Sequence, residues 1–294
     1  MNVLTARSTI TEPRPPAATR RVVHRTRGSS HGPITRLVSP SDLGELIKPF
    51  VFLDHFDLQP NGRQPFGIHP HSGIATCTLL LSGSIAYKDP TGKSGVLPAG
   101  GLEWMRAGGG VWHDGRPAEL SRMHGLQLWV ALPPELENAA PESQYVAPDE
   151  VPQDGPVRVT LGRYGASRSP VRAPDGINYL HLKLQDGERW RYEPPAGHTV
   201  AWVFACSGRI DSPEPVAAGE LAVFEESNGP LEFLSRGDTE FVLGSAIKHA
   251  HDLVLGYYSV HTSAEALERG EAEIQRIGLR LRAERRAEIS TALP

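Results

Sequence analysis

The sequence predicts an all-β protein: two antiparallel β-barrels in tandem, followed by one C-terminal helix. Three observations predict it. Short runs of apolar and β-branched residues recur every ~8–12 positions with Gly- and Pro-rich turns between them, the pattern of a sandwich or barrel. The length, 294 residues, exceeds the usual single-domain range and favours two domains sharing an interface. The second half also reads as a copy of the first, because aligning Ser82-Gly83 with Ser207-Gly208 superposes the apolar run that precedes each.

The elements follow in order. Ile74 to Leu81 is an apolar run closed by Ser82-Gly83-Ser84, and Ile85 to Tyr87 resumes a strand that ends at the turn Asp89-Pro90-Thr91-Gly92. Ser94 to Leu97 leads to the turn Pro98-Ala99-Gly100-Gly101, then Leu102 to Met105, then Val111-Trp112-His113 after a triple glycine, then Gly125 to Val130. Residues 31–135 thus form the first barrel. The Pro- and acid-rich stretch 136–156 reads as a linker. The second barrel, 157–262, takes its strands from Val157 to Leu161, Tyr179 to Leu184, Thr199 to Cys206, Glu220 to Phe224 and Phe241 to Gly244. Residues 263–294 change character: Ala, Glu, Leu and Arg dominate, Leu267, Ile274 and Ile277 stand at helical spacing, and Thr262 or Ser263 is placed to cap the helix.

Composition narrows the function. No apolar run approaches the ~20 residues of a membrane span, and the N-terminus has no apolar secretory core. A net charge of -4 with pI near 6.3 gives no electrostatic footprint for nucleic acid. Only two cysteines occur, Cys77 and Cys206, each in an apolar stretch, so a disulfide framework is not expected and a reducing cytoplasm fits. Arg7, Arg14, Arg20, Arg21, Arg25 and Arg27 crowd the first thirty residues with Glu12 as their one acid. Lacking apolar periodicity, residues 1–30 read as a flexible Arg/Pro-rich arm, with a partner- or phosphate-binding arm as the alternative.

One constellation carries chemistry. In a strand, residues i and i+2 share a face, so His69 and His71 project together while Pro70 points away. His113 lies on a later strand that one or two hairpins could bring opposite. Three imidazoles meeting in an apolar cavity suit a first-row divalent metal, which turns the cost of clustering them into ligation; the alternative is three structural histidines. His55 and His124 read as satisfied core histidines or as groups supporting a ligand. Cys77 is expected on the inward face of the His71 strand, ~20 Å along it, as core filler.

The runs Phe66-Gly67-Ile68-His69-Pro70-His71-Ser72-Gly73, Gly100-Gly101-Leu102-Glu103-Trp104-Met105-Arg106-Ala107-Gly108 and His124-Gly125-Leu126-Gln127-Leu128-Trp129-Val130 together resemble the pirin family of the cupin superfamily, over roughly residues 30 to 280. The resemblance implies a bicupin, two jelly-roll barrels of which the N-terminal one holds a divalent metal on His69, His71 and His113. Fe(II) is the first expectation, with Zn, Ni, Mn or Cu as alternatives. Two departures stand out: Gly115 replaces the carboxylate that the family carries two residues after the third histidine, and Ala75 replaces an acid four residues after the second. Glu103, Asp114 or Glu119 could supply a substitute, with water the expected fourth ligand. The resemblance implies either a quercetin 2,3-dioxygenase-like oxidoreductase acting on a small oxygenated substrate, or a metal-dependent regulatory protein that binds a protein partner, or a scaffold with a vestigial site.

Overall fold

The computed structural model describes residues 20–59, 67–89 and 91–292, with side chains up to residue 287. Phe66 of the first motif, Pro90 of the turn and residues 1–19 of the expected arm lie outside them.

Two seven-stranded antiparallel sheets form the centre. The first runs Glu142–Val146, Leu102–Arg106, Ile74–Ser82, Met123–Ala131, Phe50–Leu58, Ile34–Val38 and Ser29–His31. The second runs Val22–Thr26, Leu221–Phe224, Val200–Ser207, Thr239–Ala246, Ile177–Leu184, Val157–Leu161 and Gln153–Asp154. Strand by strand these orders correspond, so the internal repeat is a repeat of topology. Smaller sheets complete each half without closing a continuous ladder: Gly115–Pro117, Ser84–Lys88 and Ser94–Pro98 over the first, and Arg189–Tyr192, Leu231–Ser235, Arg209–Ser212 and Glu214–Ala217 over the second.

Each large sheet has two buried faces. The outer faces pack on one another through Leu53, Leu79, Trp104 and Leu128 from the first sheet and Tyr179, Trp202, Phe204 and Val242 from the second, with Phe50 meeting Trp202 edge-on at 5.5 Å. Each such side chain contributes about 1.5–3 kcal/mol when fully buried, so this seam is a principal source of stability. The inner faces differ. The second barrel is filled by Trp190, Tyr192, Phe224, Phe233 and Phe241, whereas the first encloses a cavity of about 420 Å³.

The two halves exchange a strand. Val22–Thr26 precedes the first barrel but pairs with Leu221–Phe224 of the second, while Glu142–Val146 precedes the second barrel but pairs with Leu102–Arg106 of the first. Two expected boundaries are thereby corrected. Within the supposed arm 1–30, Arg20 to Thr26 belong to the second barrel's edge, and Ser29 and Ser30 to the edge strand of the first sheet. Arg20 is buried and donates to the carbonyls of Gly229 (2.9 Å), Thr199 (3.0 Å) and His198 (3.1 Å). Arg21 pairs with Glu225, and Arg25 with Glu214 and Glu220. The supposed linker 136–156 likewise contains strands of both sheets. The arginine run resembles a solvated tail because the carboxylates and carbonyls that answer it lie about 200 residues away.

The C-terminal helix, Ala264–Ala292, starts where Ser263 Oγ accepts from the Ala266 amide at 3.2 Å. It packs back on the first barrel, where the Trp112 indole donates to the Ile274 carbonyl at 2.7 Å. No described helix is long and apolar enough to cross a membrane.

Candidate metal centre

The structure brings His69, His71 and His113 together. His69–His71 and Val111–His113 are short strands of one antiparallel ladder in which His113 is the direct partner of His69 and Val111 of His71. Residues two apart on each strand share a face, so all three rings project to one side. Ring centroids are 4.8 Å (His69–His71), 4.6 Å (His69–His113) and 5.1 Å (His71–His113) apart. One ligand atom from each lies within 4.8 Å of the others.

The unused nitrogens test whether a metal fits. His69 Nδ1 bonds the Gly67 carbonyl at 2.8 Å, and His71 Nδ1 faces the Tyr258 carbonyl at 3.4 Å. Those bonds place the proton on Nδ1 and leave Nε2 as the basic atom. His71 Nε2 and His113 Nε2 are buried without a hydrogen-bond partner, the condition a ligand atom needs and a structural histidine avoids. Burial holds the rings neutral, pushing His113 down to about 3 with help from His69. His71 is held well below its ordinary value by burial and then by His113 and His69. Neutral rings with bare Nε2 atoms fit a divalent cation.

Supports come from distant parts of the chain. Tyr258, whose carbonyl faces His71, sits at φ 56 in the left-handed region that a tyrosine disfavours. It joins the strands Val254–Gly256 and Ser259–His261. Next to His71, the Ser72 hydroxyl donates to Ser259 Oγ at 2.8 Å and lies 3.0 Å from His261 Nε2, while His261 Nδ1 lies 3.2 Å from Glu137. All four are buried. A Cβ on Gly270 would stand 2.6 Å from Ser72 Oγ and 2.5 Å from His261 Nε2, so only glycine lets the C-terminal helix approach this clasp.

The residues weighed as substitute carboxylates do not join the cluster, which contains histidine alone among the described residues. Glu103 lies on the cavity wall, accepting from Thr78 (3.1 Å) and Tyr145 (3.3 Å). Glu119 accepts from Ser84 at 2.7 Å. Asp114 and Gly115 both border the cavity. Ala75 is corrected: it packs in the seam between the sheets, so an acid there would face the second barrel. Cys77 shares that seam and not the inward face of the His71 strand. The left-handed Gly73 (φ 75) breaks the chain between His71 and Ile74 and resets the alternation. Cys77 is core filler, as expected, and both cysteines are free. His55 and His124 also lie away from the cluster, with their Nε2 atoms 2.7 Å apart and His55 against Phe204 of the second barrel.

In the second half, the repeat alignment sets Pro194 and Ala196 opposite His69 and His71. Both fall in the loop between Arg189–Tyr192 and Val200–Ser207, and no second cluster forms among the described residues.

Sequence reasoning missed the walls of the site. The cavity is bordered by Phe52, Phe56, Trp112 and Trp129, with Tyr257 and Tyr258 at its rim. Trp129 stacks on Phe52 at 3.9 Å and meets His71 edge-on at 4.8 Å. Asp54, a charge between the apolar residues of Phe50–Leu58, was the available signal for a polar group pointing inward.

Comparison with known proteins supports the family and the fold. The family model described as Pirin matches residues 33–130. A pirin-like protein of Caulobacter vibrioides is 33% identical over 76% of this chain and 79% of its own length. The pirin of Mus musculus is 32% identical over 67% of this chain and 71% of its own. Among solved structures, a quercetin 2,3-dioxygenase from Acinetobacter baumannii superposes with a TM-score of 0.80 at 21% identity, covering 88% of this chain and 98% of that one. An Escherichia coli bacterial pirin in complex with nickel(II) gives 0.60 at 19% identity, covering 79% and 99%. The fold is therefore the expected bicupin, all-β with two jelly-roll halves and a C-terminal helix, and the chain belongs to the pirin family.

Proposed function

We propose that this chain is a metal-dependent oxygenase of the quercetin 2,3-dioxygenase type, which holds one divalent metal on His69, His71 and His113 and acts on a planar, oxygenated aromatic substrate. The observation that carries the reading is the joining of two features: three clustered histidines, of which His71 and His113 have buried Nε2 atoms without a hydrogen-bond partner, and an aromatic-walled cavity opening directly on them. Fe(II) is the first candidate; Zn, Ni, Mn and Cu suit the same donors, and one relative by fold holds nickel(II).

A divalent ion there would act as a Lewis acid toward a hydroxyl or enolate oxygen of the substrate. The protein supplies the rest. The stacked Phe52–Trp129 pair and Trp112 form apolar walls that confine a ring, Tyr257 and Tyr258 cover the rim, and the Gly67 and Tyr258 carbonyls fix which nitrogens of His69 and His71 stay bare. A cavity near 420 Å³ falls within the ~300–1,000 Å³ typical of small-molecule sites. A partner-binding role without catalysis would be favoured by a blocked cavity beneath a surface patch, and this cavity is open. The two free cysteines suit operation in a reducing cytoplasm.

The test is anaerobic reconstitution with Fe(II) followed by oxygen uptake in the presence of quercetin. Uptake that depends on both metal and quercetin, and is lost in His69→Ala/His71→Ala, is the expected result. Stoichiometric metal with no oxygen uptake would overturn the oxygenase reading.

A further inference from the structure

Inside the first barrel, below the histidines, runs a line of polar side chains that the fold itself does not require. Glu103, Thr78, Gln127, Asp54 and Arg36 stand on five neighbouring strands, each the direct cross-strand partner of the next. All five border the cavity. The second barrel shows what the same scaffold does without a cavity. In the repeat alignment Val203 is the counterpart of Thr78, and the row through Val203 reads Ala222, Val203, Leu243, Leu180 and Val159. Every member of that row is apolar and buried in a filled core.

Polar groups inside a barrel cost free energy unless they find partners. Part of the row is satisfied within the protein. Arg36 pairs with Asp54, its second contact at 3.1 Å, and lies over the Phe52 ring, while Glu103 accepts from Thr78 and Tyr145. Part of it is not. Among the described residues nothing hydrogen-bonds the Gln127 amide. Two positions along the same strand, the Trp129 indole N–H is buried at the cavity wall without a partner. Unmet donors and acceptors therefore face the space, ringed by aromatic walls.

We infer that this row is a hydroxyl-recognition subsite: it binds the hydroxyl-bearing ring of a catechol-type aromatic ligand whose other end reaches the histidines, and it selects among such ligands. The inference rests on the proposed function above. Its chemistry follows from the row. Asp54, Glu103 and the Gln127 carbonyl accept from ligand hydroxyls, and the Gln127 NH2 and Trp129 N–H donate to them. Arg36, the one cation of the row, is already engaged by Asp54, so the row suits neutral hydroxyls better than an anionic ring substituent. Burial raises the Glu103 carboxyl above its ordinary range.

The test uses two probes that differ only at the remote ring: flavonol with an unsubstituted pendant phenyl, and the same compound with two adjacent hydroxyls on it. Binding to full-length protein loaded with redox-inert Zn(II) is followed anaerobically by quenching of tryptophan fluorescence, since Trp112 and Trp129 border the cavity. Wild type binds the dihydroxylated probe at least about tenfold more tightly, the order expected for one to two additional satisfied hydrogen bonds. Gln127→Leu and the near-isosteric Glu103→Gln bring the ratio towards unity while metal content and affinity for the unsubstituted probe hold. Equal affinities in wild type, or a ratio preserved in both variants, overturn the subsite and leave the aromatic-site reading standing. If neither probe binds wild type, the reading of the cavity fails and the subsite falls with it.

Discussion

Replacing Gly115 with glutamate should add a carboxylate at the edge of the cavity that holds the three histidines, at the position where the family resemblance leads one to expect an acid. The structure allows it. Gly115 begins the strand that follows the His113 strand, borders the cavity, and has no left-handed φ, so its backbone accepts an L side chain. A Cβ there would meet only Ile85 Cγ2 at 3.6 Å, ordinary van der Waals contact. Steric cost is therefore small. The electrostatic gain is not, because three neutral imidazoles leave a divalent ion its full charge and one carboxylate halves it. Loss of a single supporting group typically changes metal affinity about 10–100-fold, so gain of a direct anionic ligand should tighten binding at least about tenfold. It should also weaken azide, which competes for the same positive charge. Competition titration against a chromophoric chelator, followed by azide titration, compares wild type, Gly115→Ala and Gly115→Glu. Alanine should match wild type in both. Glutamate with unchanged metal affinity and unchanged azide binding would refute the claim that residue 115 faces an open coordination position.

Three further outcomes follow from the same geometry. His69→Ala/His71→Ala should carry no bound metal by elemental analysis yet keep the β-type circular dichroism of wild type, since the ladder holding these residues is peripheral to both large sheets; metal retained at about one per chain would remove the central claim. Truncation through Thr26 removes a strand, exposes the Leu221–Phe224 edge and discards the three Arg20 hydrogen bonds, so it should lower the melting temperature by on the order of 5–10 °C or more. Arg20→Ala should show a smaller loss of the same sign, and an unchanged melting point in the truncation would return the segment to a loose arm. Burial and then His124 push the His55 imidazole down to about 4 from its ordinary 6.5. The unfolded chain therefore binds the extra proton first, and stability contributed by neutral His55 is complete above about pH 6.5 and falls as pH drops toward 4. Urea midpoints across that range should decline for wild type and decline less for His55→Leu; parallel curves would show that His55 does not carry the effect.

Legibility in the sequence followed the range of the interactions. Ile74–Ser82, Leu102–Arg106, Val157–Leu161 and Val200–Ser207 lie close to where apolar runs and Gly/Pro turns placed them, because both signals are local. The HPH spacing foretold that His69 and His71 share a face, and the repeat alignment anticipated two sheets of matching strand order. Val22–Thr26 and Glu142–Val146 were not legible as strands: each is polar, and each becomes a strand only through an edge contributed by the other half. Tyr258 carries no motif, and its carbonyl reaches His71 only because the chain returns past the first barrel 187 residues later. The facing of Ala75 and Cys77 turned on one left-handed residue, Gly73, whose effect on alternation becomes visible only with the backbone. The polar row was invisible for a related reason, since its five members are scattered from residue 36 to residue 127 and only strand register aligns them.

The strand exchange has a consequence for synthesis and for lineage. Val22–Thr26 is translated near the start, but its partner Leu221–Phe224 is made about 200 residues later. That edge stays unmatched on the ribosome until most of the protein has emerged, and a pairing so distant in sequence is slow to close. Glu142–Val146, by contrast, follows Leu102–Arg106 closely and can dock as soon as it is made. The N-terminal half can therefore be assembled, with His69, His71 and His113 on their common ladder, before the C-terminal half has a complete sheet. The same interlock binds the duplicated halves to each other's history. Cutting the chain between Ala131 and Glu142 would leave each fragment holding a strand that belongs in the other or lacking one of its own, so neither half can be inherited as a free-standing module.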